Sequence, residues 1–191
     1  MPNPSGSCSR KATPARPVED FTEGKISNPA ACDARFKSYM ANQKEIISTI
    51  NDLIETLKDG QKGFKEAADA ANDPQLKSLF TGYSQQRARF ASELQTQARS
   101  VGEPEPETGG SAAGAMHRGW INLKSAITSQ DERAILAECE RGEDSAMQEF
   151  EKAMRNDLPS PMRDIVSRQY SEIKSAHDRI KTLRDAAKKA A

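Results

Sequence analysis

The side chains that could do chemistry here are two histidines, three cysteines and a scatter of carboxylates. Three residues before His177 stands Lys174, and three before His117 stands Gly114, so the chain has no Glu-x-x-His pair. That pair is how helical bundles hold two iron or manganese ions. The carboxylates that a metal could still use are Glu55, Glu143 and Glu172, with His177 beside them. Cys8, Cys32 and Cys139 are far apart and lack C-x-x-C spacing, which argues against a disulfide framework and a structural zinc site. Cys139 falls on an apolar helical stripe, where a buried, inert thiol is expected. A cysteine nucleophile would need a base and an orienting third group. No glycine-rich phosphate loop or dinucleotide motif occurs.

The elements that position these residues are helices. Ile46, Ile50, Leu53, Ile54, Leu57, Phe64, Ala67 and Ala68 recur at steps of three and four, the stripe of a helix packed on one face. Asn42 is expected to cap this helix, with Glu45 at the capping-box position. Asp73 and Pro74 are a good N-cap and first helical residue for the next, over about 74–101, whose stripe stops at Gly102 with Pro104 beyond. A Glu-Pro linker over 103–111 then leads into a short crossover helix, expected over about 112–127. Its apolar face, Trp120, Ile121, Leu123 and Ile127, is expected to cover the core. Ser129 and Glu132 read as a capping box for the third long helix. Leu158, Pro159, Ser160 and Pro161 separate it from a fourth. Two tight hairpins joined by one long crossover is the order of a ferritin-like four-helix bundle.

Each stripe breaks near its middle. Gly60 and Gln61, Gln86 and Arg87, Gly142 and Glu143, then Gln169 and Glu172 interrupt the apolar positions. Folding the hairpins about residues 73 and 159 brings Gln61 near Gln86, and Glu143 near Glu172 with His177 a turn away. One polar layer therefore crosses the core, and it must be satisfied internally or by something bound, since a buried unpaired polar group costs about 1–3 kcal/mol. Arg87 supplies the positive charge that a metal otherwise would, so pairing with Glu143, Glu172 or Glu55 is expected in preference to a metal. Cys139 is expected opposite His177. Gly60, Gly63, Gly82 and Gly142 are each costly inside a helix and imply close helix approach or room for a ligand.

Several runs are familiar together. Asn51-Asp-Leu-Ile-Glu-Thr-Leu-Lys-Asp-Gly60, Gln85-Gln-Arg-Ala-Arg-Phe-Ala-Ser-Glu-Leu94, Met116-His-Arg-Gly-Trp120, Glu138-Cys-Glu-Arg-Gly-Glu-Asp144 and Ala176-His-Asp-Arg-Ile180 resemble a bacterial family of ferritin-like four-helix-bundle proteins, a domain of unknown function. The likeness spans about residues 42–186. It implies a fold and no activity. Three functions are open to such a chain: a non-catalytic stress-related or scaffolding protein that dimerises or binds a partner, a protein that binds or oxidises iron or manganese, and a small-molecule binding bundle. The first is expected, with no cofactor.

Composition narrows the setting. Lys and Arg number 28 against 28 Asp and Glu, so no net field collects nucleic acid or anionic membrane. No apolar run spans a bilayer, and a reducing cytoplasm fits the cysteine usage. The domain is expected over 41–187, with a short C-terminal tail over 188–191. Residues 1–40 carry Pro2, Pro4, Pro14, Pro17 and Pro29 among Ser, Gly and scattered charges without apolar periodicity, the composition of a disordered tail. Met40 stands directly before the first expected helix and is an alternative start. A natively expressed product whose intact mass begins at Met1 would refute that alternative; one beginning at Met40 would support it.

Overall fold

The computed structural model describes residues 29–102, 120, 123–128 and 131–189, and side-chain surroundings from Tyr39 onward. These residues form five helices and no strand: α1 (Pro29–Ala70), α2 (Pro74–Ser100), α3 (Leu123–Thr128), α4 (Glu132–Arg155) and α5 (Ser160–Lys189). None of them is long and apolar enough to cross a membrane.

The helix ends follow local chemistry, with two departures from expectation. The Asp73 side chain accepts a 2.8 Å hydrogen bond from Gln75 N–H, and Pro74 begins α2. α2 ends where Gly102 takes φ 96°, a left-handed value that costs glycine nothing. α1, however, begins at Pro29 rather than at Asn42, so residues 29–40 are helical. Pro29 suits a first helical position, and Ala30, Ala31 and Ala34 follow it. Residues 1–28 lie outside the described residues, as do 103–119 and Ser129. The cap of α4 is Asp131, which accepts from Arg133 N–H, and not Ser129. The carboxylate of Glu132 is turned instead to Asp73 N–H at 3.0 Å, tying the start of α4 to the start of α2. Of the expected crossover helix, Leu123–Thr128 is described.

Cross-chain bonds give the helix directions. Gln43 Nε2 donates to Val101 O and Ser84 Oγ to Gln61 O, so α1 and α2 are antiparallel. Tyr170 with Glu151 and His177 with Asp144 make α4 and α5 antiparallel. Asn156 with Thr49, and Glu132 with Asp73, set α4 antiparallel to α1 and hence parallel to α2. The α1–α2 and α4–α5 pairs share the most extensive packing, and α3 lies on α4 and α1.

Two apolar clusters fill the interior. One holds Ile50, Leu53, Leu57, Phe90, Leu94, Phe150, Val166 and Ile173; the other holds Phe64, Phe80, Leu123, Ile135, Cys139 and Ile180. Trp120, half-buried, packs on the second, edge-on to Phe64 with ring centroids 5.3 Å apart. Its indole lies between Gly63 of α1 and Gly142 of α4. A Cβ added at either glycine would fall inside the ring's van der Waals envelope. The two mid-helix glycines thus make a slot for an aromatic side chain of the same chain. Gly82 faces open space.

Gly63→Ala and Gly142→Ala should each expel the indole and cost about 1–3 kcal/mol, as overpacking does. Gly82→Ala should be neutral or add up to about 1 kcal/mol from helix propensity. Trp120 is the chain's one tryptophan, so its emission should be blue-shifted in the native protein and move to the red in both slot variants. Native emission like that of free indole, or unchanged melting of the slot variants, would contradict this packing.

Candidate functional site

Between the two apolar clusters lies the polar layer. Arg87 of α2 and Glu143 of α4 are each 1 % exposed and form an ion pair, Nη2 to Oε2. The Arg87 stem lies over Gly60, where an added Cβ would stand 3.5 Å from Cγ, in ordinary van der Waals contact. Its guanidinium carbon stands 5.7 Å from the Phe64 ring centroid and 5.8 Å from that of Phe90, within cation–π range.

From Arg87 a chain of bonds runs outward. Nη1 donates to Gln86 Oε1 at 2.6 Å, and Gln86 Nε2 donates to Glu172 Oε2 at 2.9 Å. Arg168 lies 3.5 Å from Glu172 and pairs with Glu93. Gln169 Nε2 closes the circuit on Glu93 Oε2 at 2.9 Å and Phe90 O at 3.3 Å. Gln86, Arg87, Gln169, Glu143 and Glu172, all read from the stripe breaks, therefore stand in one network or its ion pair. Gln61 enters only through its backbone carbonyl, which accepts from Ser84.

His177 sits beside this network with each ring nitrogen on a carboxylate: Nε2 is 2.9 Å from Asp144 and Nδ1 3.0 Å from Asp178. Its hydrogen bond, aided by Lys174, holds the Asp178 carboxyl below the usual range. Glu143 feels the charge of His177, so these two are neighbours. Glu55 is elsewhere: half-buried on α1, its carboxyl is raised first by burial and then by Asp59 and Asp52 of the same helix. Among the described residues no three His, Cys, Asp or Glu side chains come together as a metal could require, so Glu55, Glu143, Glu172 and His177 do not converge. Cys139 is wholly buried, and burial with the nearby charges of Glu143 and Glu138 pushes its thiol well up. It is a protonated packing group next to carboxylates.

Sequence reasoning missed two further buried acids. Glu138 pairs with Arg141 and Glu140 with Arg184, both carboxylates being nearly covered. Their spacing from Cys139 was visible; the cover given by neighbouring helices was not. A shallow pocket lined by Thr49, Asp52, Glu149, Lys152 and Asn156 opens near the other end of α1, with Asp52 raised by burial.

Electrostatics of the central pair run in opposite directions. Burial pushes the Glu143 carboxyl up, and Arg87, its largest opposing influence, pulls it down without cancelling the rise. Tyr83, half-buried nearby, is raised by burial and by the Glu143 charge. What this arrangement does chemically is hold one desolvated charge pair in place.

Arg87→Leu should cost about 3–5 kcal/mol at neutral pH by leaving Glu143 buried and unpaired. Removing the arginine raises the Glu143 carboxyl further. An acid raised in the folded state stabilises it below the unfolded value, and that stability is lost as pH rises through the folded value. The variant's melting temperature should therefore climb on acidification from neutral pH towards the ordinary glutamate range, more steeply than the wild type's. A neutral substitution, or the same pH slope in both proteins, would show that Arg87 does not compensate Glu143.

No curated protein matches the chain. Residues 45–156, more than half of its length, match the model of a family, and the chain belongs to that family, described as Domain of unknown function (DUF2383).

Proposed function

We propose that this chain is a ferritin-like four-helix bundle of bacterial origin that acts without catalysis, as a cytoplasmic stress-related or scaffolding protein that binds a partner. The partner proposed is a second copy of the chain, with neither nucleic acid nor membrane involved. The observation that carries this reading is the Arg87–Glu143 pair. A guanidinium stands in the mid-core layer where ferritin-like proteins place cations, and it already has its carboxylate. The helix directions support the ferritin-like order, since α1 and α2 are antiparallel and α4 runs parallel to α2 after a long connection. The slot at Gly63 and Gly142, which a small-molecule reading would use, is taken by Trp120.

A metal reading keeps one observation, the proximity of Glu143 and His177. Iron or manganese would have to displace Arg87 to recruit Glu143. Protein purified without chelator should therefore carry iron and manganese far below one ion per chain, and should oxidise ferrous iron under air no faster than buffer. Added manganese should leave its melting temperature unchanged, because a ligand with no site stabilises nothing. Stoichiometric metal, or catalysed oxidation, would overturn the non-catalytic reading.

A further inference from the structure

The Trp120 slot contains an imbalance in hydrogen bonding. Trp120 Nε1, a donor only, is buried with no acceptor. A Cβ built on Gly142 would lie 2.9 Å from it, so Nε1 lies against α4 at that residue. Helical Cα–Cβ bonds lean towards the N-terminus, so this face continues one turn earlier to Glu138. Glu138 is 6 % exposed; its Oε1 pairs with Arg141, and its Oε2 is buried with no donor. A lone donor and a lone charged acceptor thus occupy one turn of one helix face. Each is costly if left alone, and joining them removes both costs.

The other orphaned acceptors of the described core do not compete. Asn51 Oδ1 is three turns along α1 from Gly63, Gln169 Oε1 stands against Phe90 and Glu93, and Glu140 Oε2 faces Arg184.

We infer that the Trp120 indole N–H is joined to Glu138 Oε2 through one bridging water, and that this link latches Trp120 and α3 onto the glycine slot. Glu138 is then a positioning residue. The water's bond to the carboxylate is charge-assisted, and such bonds are about twice as strong as neutral ones. The latch matters to the layer behind it, since Phe64 touches both the Trp120 ring and the Arg87 guanidinium, and Gly142 precedes Glu143. Withdrawing Trp120 would admit water to the buried ion pair.

The test uses the full chain, wild type and with Glu138→Leu, Glu138→Gln and Arg141→Ala, reading the indole N–H resonance and its hydrogen exchange by NMR and acrylamide quenching of Trp120. Arg141→Ala removes the ion pair and should leave all three readings as in the wild type. In Glu138→Leu the resonance should move upfield and quenching rise about threefold or more, the N–H having lost its acceptor. Glu138→Gln keeps an uncharged acceptor and should show a smaller shift in the same direction. Indole resonance and exchange unchanged in both Glu138 variants would overturn the latch, and so would an Arg141→Ala effect as large as that of Glu138→Leu. Should Glu138→Leu fail to fold, Glu138→Gln decides: a shifted resonance supports the latch and an unshifted one overturns it.

Discussion

Burying one guanidinium against one carboxylate is the constraint on which the rest of this molecule depends. Each charge alone would cost several kcal/mol to remove from water, and their attraction repays that only when the geometry is good and the remaining donors find partners. Arg87 meets the condition at both terminal nitrogens, Nε being left without an acceptor, with parts from three helices: Glu143 from α4, the Phe64 face from α1, and Gln86 with Phe90 from α2 itself. Its stem lies over Gly60. The pair also divides the core, so that one apolar cluster lies on the Leu57 and Phe90 side and another on the Phe64 and Phe80 side.

Such a pair selects register more than it adds stability. Sliding α4 by one turn against α2 would set Glu143 against Tyr83 or Ala91, and Arg87 against Cys139 or Met147. Both charges would then be buried without partners, whereas apolar side chains moved by one turn would still meet apolar side chains. The bonds at the ends agree with the one register left, since Asp73 N–H meets Glu132 and Thr49 meets Asn156 along the same antiparallel alignment of α1 and α4.

Much of this was legible because it is periodic. The stripes gave the long helices, Asp73-Pro74 and Gly102 marked where α2 begins and ends, and the breaks in the stripes marked the layer in which Arg87 meets Glu143. Periodicity failed where structure is set by other segments. The first residues of α1 carry charges and alanines around few apolar positions, so helix propensity there left no stripe to read. Glu132 looked like a local capping residue and serves a distant N–H instead. Glu55 follows core residue Ile54 by one position, which is 100° around the helix and off the face. Gly63, Gly142 and Trp120 were each conspicuous, yet their meeting depends on where a long connection delivers the indole, which no local pattern encodes.

The polar layer's charges are also graded by depth. Arg87 and Glu143 are at the centre, Gln86 and Glu172 half-buried around them, and Arg168 at the surface, with Gln169 returning the circuit to the Phe90 carbonyl. The neutral amide of Gln86 joins the inner cation to the outer carboxylate, so Glu172 can stay near water while linked to Arg87 by hydrogen bonds. Moving Glu172 inward would add a second buried anion to a site with one cation, and burial already raises the first. Within this layer, therefore, one buried carboxylate faces the one buried guanidinium, and the layer's other acids, Glu93 and Glu172, sit where solvent and Arg168 share them.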